Sequence, residues 1–436
     1  MLALAACGRL DFTSTQDAPC LTVAFEDGDG DGWGATPIAV PAGACAPAGA
    51  VAIGGDCDDL NATVNPGALD TCDRDRNCDG VLTVQVPDGC PTVQAVIDAS
   101  AASGTPATAL LGTGIHIENL QFAGAAVMVV GAGAGVTTLQ GTGTGPVAVF
   151  AAGEGAASGL RALTVTGGTC TSVPAMPSGT ACYGGGIAIA DASPTLASLE
   201  ITGNSAAGVT YAFGGGISLQ RSSATLTDLD IHDNTSEYYG AGMLIRQSNG
   251  LTVTRLRLVH NTGAMYGGGL VIADSTVRLD NVILAANAGR YGGAVMAQSS
   301  SPTLVNVTAV GNACDSGCGV YALMTSQVAI ENSTFSGGQA GTGAGALDVD
   351  GTSSVVVTYS SFFGNGATAF LGVAAPSGSG NLAVDPQFVD TSSADPRAWD
   401  LHLGTGSPLR HAGDPAVMNR DATRADIGAY GGPFSF

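Results

Sequence analysis

A repeat with a period of 25 to 30 residues constrains the fold of this chain more than any other feature. From about residue 183, successive segments begin with an aromatic residue followed by glycine, and they end on an asparagine. The five clearest segments span residues 183–204, 213–234, 239–261, 266–287 and 291–312. Degenerate copies continue through Gly319, Gly345 and Asn365. A period of this length indicates a solenoid in which each repeat forms one coil and stacks on the next.

The coils are predicted to consist of β-strands. Each repeat contains short alternating apolar runs, such as Ile187 with Ile189, separated by Gly, Ser, Pro and Asn. The spacing of Leu196, Leu199 and Asn204 also fits a leucine-rich repeat, but the glycine-rich first half leaves no room for an outer helix. A calcium-binding β-roll would repeat every ~9 residues and is excluded. A parallel solenoid remains, with aliphatic side chains in its bore and coils about 4.8 Å apart.

The two ends of residues 85–436 agree with this interpretation. Val93, Val96 and Ile97 lie on one face of a predicted amphipathic helix that would close the first coil, and strands are expected over 107–165. The segment 381–436 is similar to the closing segment of bacterial β-helix proteins. With these features, residues 85–436 resemble the pectin-lyase-like right-handed parallel β-helix, which implies an all-β solenoid.

An acidic segment near the N-terminus carries the pattern of a calcium loop. Three carboxylates alternate before a glycine at residues 27–34, so that a tight turn could direct all of them at one hard cation. A complete EF-hand is rejected because its twelfth position holds Ile38 rather than glutamate. The same spacing recurs as a second half-loop at Asp75, Asn77, Asp79 and Gly80. The predicted metal ligands of this segment are Asp27, Asp29, Asp31, Asp56, Asp58, Asp59, Asn61, Asp75, Asn77 and Asp79.

Residues 55–68 and 72–80 resemble the MopE-type metal-binding repeat of bacterial surface proteins, and the resemblance covers about residues 25–81. That family takes its name from a copper-binding member. The ligands here are oxygens without His or Met, so we expect Ca²⁺, with copper as the alternative. A disulfide-stapled acidic turn region without an ion is the other interpretation.

Charge and composition exclude several classes of function. The net charge of −22 repels phosphate backbones and anionic lipid, so neither nucleic acid nor an electrostatically bound membrane surface is expected as a partner. All 14 basic residues are arginine. Without lysine, the chain has no Schiff-base, P-loop or lysine general-base chemistry.

The cysteines predict export. Leu4-Ala5-Ala6-Cys7 resembles a bacterial lipobox, which implies a lipid anchor at Cys7, although the leader lacks a basic region and a longer apolar stretch. The other ten cysteines are an even number suited to disulfides. Cys170 and Cys182 bracket one loop and Cys314 and Cys318 another, while the pairing of the six between Cys20 and Cys90 stays open. The expected location is the outer membrane or cell surface, or otherwise the medium.

Four regions follow from these patterns. Residues 1–19 are expected to be a signal remnant and linker, and 20–84 the metal-binding segment. Residues 85–380 would form the capping helix and the β-helix coils, and 381–436 the closing segment.

Two columns of side chains should run along the solenoid. The asparagines that end the repeats are expected to form a hydrogen-bonded ladder in a buried turn. The aromatic residues that begin the repeats, from Tyr183 to Tyr291, would form a second column that could stack sugar rings or only one another.

One dense group of ionisable residues stands out in the second half of two neighbouring repeats. The spacing from the repeat asparagines places Asp228 near Arg255 and Asp230 near Arg257, with His232 and His260 close by. Paired carboxylates near histidine could catalyse acid–base cleavage of a glycosidic bond. Two salt bridges between coils on a solvated face are the alternative interpretation.

The expected function is that of an exported, monomeric and non-catalytic surface protein. Its rigid β-helix would serve display, adhesion or contact with a polysaccharide or another cell-surface component, while calcium would stabilise the N-terminal segment. The alternative is a polysaccharide lyase or glycoside hydrolase acting at the residues from Asp228 to His260.

Overall fold

Parallel β-strands, stacked coil upon coil, form the larger of two units, residues 82–436, and confirm the predicted all-β solenoid. The computed structural model describes residues 23–42, 44–170, 181–208 and 211–436. The predicted lipid anchor at Cys7 therefore lies outside the described residues, as does Cys20. The solenoid has about 10 turns, and two long sheets run along it.

The first sheet has ten strands: Leu120–Gln121, Ala148–Phe150, Ile187–Ala190, Ile217–Gln220, Met243–Arg246, Leu270–Ala273, Val295–Gln298, Val320–Leu323, Leu347–Val349 and Phe370–Leu371. The second sheet has fifteen strands: Leu82–Val86, Ala107–Leu111, Gly114–Ile117, Val127–Val130, Thr137–Gln140, Gly159–Thr166, Thr195–Thr202, Thr225–His232, Asn249–Val259, Thr276–Ala285, Thr303–Val310, Gln327–Glu331, Thr334–Ser336, Ser354–Thr358 and Ser361–Phe363. Shorter parallel strands are Ser205–Ala206, Thr235–Ser236 and Thr262–Gly263 in one sheet, Ala181–Tyr183 with Tyr211–Phe213, and Ala313–Cys314 with Gln339–Ala340.

The coils stack in register, so equivalent residues of successive repeats lie directly above one another. In the first sheet Ile187 pairs with Ile217, which pairs with Met243, and all three are fully buried. Burial of such an aliphatic side chain contributes roughly 1.5–3 kcal/mol, repeated in every coil. The bore of the solenoid is therefore its hydrophobic core.

A bend inside each long strand of the second sheet explains the Leu-x-x-Leu spacing. Ser198 has a φ of 54°, and the equivalent residues of the next coils, Asp228 and Arg255, have 54° and 52°. One left-handed residue interrupts the alternation of sides, so that Leu196 and Leu199 both point into the bore although they are three positions apart. The spacing that imitates a leucine-rich repeat thus reflects a bend in a strand.

The asparagine ladder is present. In Asn204, Asn234, Asn261 and Asn287, each Nδ2 donates to the Oδ1 of the asparagine in the next coil, at 3.0–3.1 Å. All of these side chains are buried. The ladder thereby satisfies the polar groups of a turn that has no access to water.

The predicted capping helix spans Val93–Ser103, with Thr92 as its N-cap, and it buries Val93, Val96 and Ile97. At the other end, the closing segment contains the antiparallel strands Phe388–Asp390 and Asp400–Leu403 and the 3₁₀ turn Pro396–Ala398. Leu401 and Ala429 from this segment pack against Val259 and Ile283 of the second sheet.

Two asparagines of the second sheet hold the closing segment. Asn281 Nδ2 donates to the carbonyl oxygens of Ala429 and Gly431 at 2.7 and 2.6 Å, and Asn306 Nδ2 donates to those of Asp426 and Gly428 at 3.1 Å. Because both side chains are buried, these carbonyls have little access to water once the amide is removed.

Replacing Asn281 with alanine is therefore expected to loosen the closing segment while the coils remain folded. Unpairing a buried carbonyl costs ~1–3 kcal/mol, which raises the population of locally open states about 5-fold or more. Amide hydrogen exchange over residues 426–431 measures this opening. Thr352→Ala, at an exposed loop position, is the control, and unchanged protection in Asn281→Ala would contradict the assigned role.

The smaller unit ends at Val81. Its regular structure is an antiparallel pair, Ala24–Glu26 with Thr36–Ile38, and a disulfide joins Cys57 to Cys78. Cys45, Cys72 and Cys90 are also disulfide-bonded. Further along the chain, disulfides join Cys170 to Cys182 and Cys314 to Cys318, the two pairs that bracket loops in the sequence. This cross-linking indicates an extracellular protein.

Among the described residues, no helix is both long and apolar enough to cross a membrane.

Candidate functional site

The first acidic loop gathers its three carboxylates around one point. One oxygen each from Asp27, Asp29 and Asp31 lies within 4.8 Å of the others. Backbone amides fix the carboxylates: Gly30 N and Gly32 N donate to Asp27, Asp31 N to Asp29, and Trp33 N to Asp31, at 2.7–3.2 Å. The φ values of Gly30 and Gly32, 84° and 95°, belong to the left-handed region, which glycine tolerates best. These hydrogen bonds and glycine conformations fix the shape of the loop.

The second acidic loop repeats this hydrogen-bond pattern 48 residues later. Gly80 N donates to Asp75 as Gly32 N does to Asp27, at 2.9 Å. Asp79 N donates to Asn77 at 3.0 Å and Val81 N to Asp79 at 2.8 Å. The two half-loops recognised in the sequence therefore share one backbone conformation as well as one spacing.

Both acidic loops contain carboxylate oxygens that have no hydrogen-bond partner, as expected of a cation site. Asp29 Oδ2, Asp56 Oδ2 and Asp75 Oδ1 are buried and have no hydrogen-bond donor. Burial, followed by the negative charges of Asp31, Asp56 and Asp27, raises the pKa of Asp29. A bound divalent cation would satisfy these oxygens and offset the repulsion, so the donor set fits a hard, oxygen-preferring ion.

The remaining predicted ligands have other partners. Asp59 Oδ1 accepts a hydrogen bond from Gly28 N at 3.0 Å and so supports the first loop from outside. Asp58 faces Arg74 at 3.7 Å, and Asn61 Oδ1 accepts from Thr63. Asp56 is held beside the first loop, because its backbone N donates to Gly34 O at 3.4 Å, and its negative charge contributes to the raised pKa of Asp29.

The aromatic column, which packs beside the first sheet, stacks on itself. The ring centroids of Tyr183 and Phe213 are 4.9 Å apart, and those of Tyr239 and Tyr266 are 5.0 Å apart, with planes inclined by about 20°. Tyr291 continues the column. The sequence left open whether these rings stack on sugars or on one another. In the structure they stack on one another. Tyr238 lies edge-on across the column, at 83° to Tyr211 and 79° to Tyr239.

A groove of about 380 Å³ lies beside this column, and we call it the first-sheet groove. Its lining residues are Ala181, Tyr183, Tyr211, Phe213, Tyr238, Tyr239, Leu244, Arg246, Ala273, Asp274 and Gln298. Burial, together with Tyr238 and Tyr266, raises the pKa of Tyr239 to about 12. Its hydroxyl therefore stays protonated at neutral pH and donates to Gln298 Oε1 at 3.0 Å.

The ionisable group of the second sheet has the predicted neighbours. Arg255 Nε donates to Asp228 Oδ1 at 2.5 Å, and Arg257 Nη1 donates to Asp230 Oδ2 at 3.2 Å. The hydrogen bond from Arg255 lowers the pKa of Asp228, whereas burial raises the pKa of Asp230. His260 Nδ1 is hydrogen-bonded to Asp233 at 2.6 Å.

Glu200 and Arg397, which the sequence analysis did not single out, complete this group together with Asp233. Glu200 is hydrogen-bonded to His232 Nε2 at 3.1 Å, Asp233 to His232 Nδ1 at 2.8 Å, and Arg397 Nη1 lies 3.4 Å from Asp233. Glu200 could have been found, because it stands four residues before its repeat asparagine, as Asp230 does. Arg397 gives no such signal, since it belongs to the closing segment.

Comparisons with known proteins support both units. The family model described as right handed beta helix region matches residues 215–387, and that of the MopE metal-binding motif matches residues 56–82. No curated protein matches the sequence. The chain has the fold of a right-handed parallel β-helix and carries a metal-binding motif of the MopE type.

The solved structures that match this chain have low sequence identity to it and low TM-scores. ORF18 of Geobacillus virus E2 is 13% identical with a TM-score of 0.40, over 64% of this chain and 62% of the viral protein, so the chain spans less than two thirds of that relative. The A-module of the mannuronan C-5 epimerase AlgE6 of Azotobacter vinelandii is 16% identical with a TM-score of 0.29, over 68% and 95% of the two chains. Carrot pectin methylesterase is 14% identical with a TM-score of 0.27, over 70% and 89%.

Proposed function

We propose that the protein is exported to the cell surface, where the first-sheet groove of its β-helix binds a carbohydrate chain without altering it. The observation that carries this proposal is the lining of the groove. Aromatic rings stand beside an arginine, a carboxylate and an amide, a combination that offers apolar faces for sugar C–H groups and donors and acceptors for hydroxyls.

The first-sheet groove suits binding of a carbohydrate without catalysis. Asp274 is the single carboxylate among its described lining residues, and it lies 3.8 Å from Arg246. Acid–base cleavage of a glycosidic bond ordinarily needs two carboxyl groups. Regular stacking of the coils would hold the groove rigid, which limits the entropy lost on binding.

Calcium in the acidic loops of the smaller unit is the second part of the proposal. The loops offer only carboxylate and amide oxygens, which suit Ca²⁺ better than copper. The ion would order this unit rather than take part in chemistry. Attachment to the outer membrane through Cys7 would complete the role of a display or adhesion rod, and without the anchor the protein would be secreted.

Replacing Tyr238 with alanine is expected to weaken glycan binding about 10-fold or more, since it removes the ring that crosses the column. Isothermal titration with neutral and acidic oligosaccharides measures the affinity. Tyr359→Phe, away from the groove, is the matched control. Full affinity in Tyr238→Ala, or no binding of any oligosaccharide by the unaltered protein, would refute the proposal.

A further inference from the structure

We infer that Glu200 and Asp230 form a catalytic carboxyl pair that hydrolyses a glycosidic bond of a neutral polysaccharide at the second sheet. This inference goes beyond the proposed binding function, because it concerns a different face of the β-helix and a different groove. The second-sheet groove has a volume of about 400 Å³ and is lined by Gly133, Ala134, Gly135, Ala162, Ser198, Leu199, Glu200, Asp228 and Asp230.

The register places Glu200 and Asp230 side by side on neighbouring coils. Glu200 and Asp230 are direct partners on neighbouring parallel strands, and both line the groove. Neighbouring strands lie ~4.8 Å apart, so side chains on the same face start from this spacing. Retaining glycosidases hold their two carboxyl groups about 5–5.5 Å apart.

Asp230 has the surroundings of a general acid. Its Oδ2 accepts a hydrogen bond from Arg257, while its Oδ1 is buried and has no partner, so the carboxyl can carry a proton on Oδ1 without losing a hydrogen bond. Burial raises the pKa of Asp230, and the negative charge of Glu200 adds to this, against the opposing effects of Arg257 and His232. The carboxyl therefore holds its proton to a higher pH than an ordinary aspartate.

Glu200 has the surroundings of a nucleophile. Thr164 Oγ1 donates to its Oε2 at 2.7 Å, and His232 Nε2 is hydrogen-bonded to its Oε1 at 3.1 Å. Burial alone would raise the pKa of Glu200, but these hydrogen bonds outweigh it and the pKa is lowered. Two neighbouring carboxyl groups with opposite pKa shifts are the arrangement that separates acid from nucleophile.

His232 is a positioning residue. It is buried, and its Nδ1 is hydrogen-bonded to Asp233, which also contacts His260 and Arg397. This chain of contacts fixes the imidazole, and the imidazole in turn orients Glu200. The closing segment contributes through Arg397, so the group is complete only in the full β-helix.

The reaction balances with water as the only co-substrate. Asp230 gives its proton to the glycosidic oxygen while the bond from C1 to that oxygen breaks, and the oxygen keeps the electron pair. A Glu200 oxygen bonds to C1 and forms a glycosyl ester. Water then gives a proton to Asp230 and bonds to C1 as the ester bond breaks and its electrons return to Glu200. Both residues are restored, and the anomeric configuration is retained.

The charges of the groove select the substrate class. Three carboxyl groups, Glu200, Asp228 and Asp230, line it, while Arg255 and Arg257 are engaged with two of them. A polyuronate would meet repulsion here, and the net charge of −22 adds to it. A chain of uncharged sugars avoids this repulsion.

The test is release of reducing ends from xylan, mannan, galactan and mixed glucans by the purified full-length protein. Hydrolysis of at least one of these is expected, and Asp230→Asn and Glu200→Gln should each lower kcat about 100-fold or more. Azide should restore turnover in Glu200→Ala by forming a glycosyl azide. Asp191→Asn, whose carboxylate pairs with Arg221 elsewhere, is the matched control.

The pH profile separates positioning from a purely structural role. Activity should fall as pH drops through the lowered pKa of Glu200 and as pH rises through the raised pKa of Asp230, whose charged neighbours are Glu200, Arg257, His232 and Arg397. His232→Leu should move the acidic limb to higher pH, because Glu200 loses a hydrogen bond to its ionised form.

Three results would overturn the inference: no hydrolysis of any neutral polysaccharide, full activity in Asp230→Asn or Glu200→Gln, or an unsaturated product from polygalacturonate or alginate. Glycan binding in the Tyr238→Ala experiment is measured on the other face, so failure of either proposal is recognised separately.

Discussion

Replacing Asn261 with alanine is expected to destabilise the β-helix by about 3 kcal/mol or more, since the side chain is fully buried in the middle of the ladder. Its Oδ1 accepts hydrogen bonds from the backbone N and the Nδ2 of Asn234, at 3.1 and 3.0 Å. Its Nδ2 donates to Ile231 O at 2.8 Å and to Asn287 Oδ1 at 3.0 Å. Alanine leaves several of these groups buried without a partner, at a cost of ~1–3 kcal/mol each.

Denaturant unfolding followed by circular dichroism measures the effect as a lower midpoint. Asn249→Ala is the matched control, because Asn249 is exposed and its Oδ1 accepts from Thr276, also exposed, in the next coil. The control should shift stability by less than ~1 kcal/mol. Equal midpoints for the two variants would show that the ladder adds nothing beyond a surface turn.

Calcium is expected to raise the melting temperature of the smaller unit, and chelator to lower it. A ligand that binds only the folded state stabilises by about 3 kcal/mol at 100 times its Kd. Asp29→Asn and Asp56→Asn should remove most of this increment, because each carboxylate holds a buried oxygen without a donor. Asp73→Asn, whose exposed carboxylate accepts from Thr71, should retain it.

The stabilisation of the smaller unit by calcium should also depend on pH and be greater at higher pH. In the ion-free protein the pKa of Asp29 is raised, so the folded loop favours the protonated carboxyl and loses stability as pH rises through that value. Calcium needs the ionised carboxylate. The stabilisation by calcium should therefore be full above the raised pKa and vanish as pH falls through it. Stabilisation by copper but not by calcium would contradict the choice of ion.

The coil period was predictable because identical positions must recur wherever one coil stacks on another. Glycine, aliphatic, aromatic and asparagine columns share a single period, and their register in the structure follows that alignment. The bend at Ser198, Asp228 and Arg255 was not predictable, because these three side chains have nothing in common. Left-handed backbone at a non-glycine residue is set by the neighbouring coils.

In the acidic loops, too, the spacing of the ligands was predictable from sequence, whereas the neighbours of each loop were not. Alternate carboxylate or amide side chains before a glycine predicted both loops, since the spacing itself creates the convergent turn. Which of Asp56, Asp58 and Asp59 accompanies the first loop depended on how the intervening chain folds back. The negative charge of Asp56 contributes to the raised pKa of Asp29. Asp59 accepts a hydrogen bond from Gly28 N in the loop, and Asp58 lies near Arg74.

By itself, the sequence determined the parallel β-helix, the asparagine ladder and the two acidic loops, because each depends on a local spacing that the chain repeats. Tertiary structure alone decided which oxygens lack partners, where the grooves open, and that Glu200 and Arg397 join the group around His232. Those properties arise where distant segments meet, and there burial raises the pKa of Asp230, whereas hydrogen bonds outweigh burial and lower the pKa of Glu200.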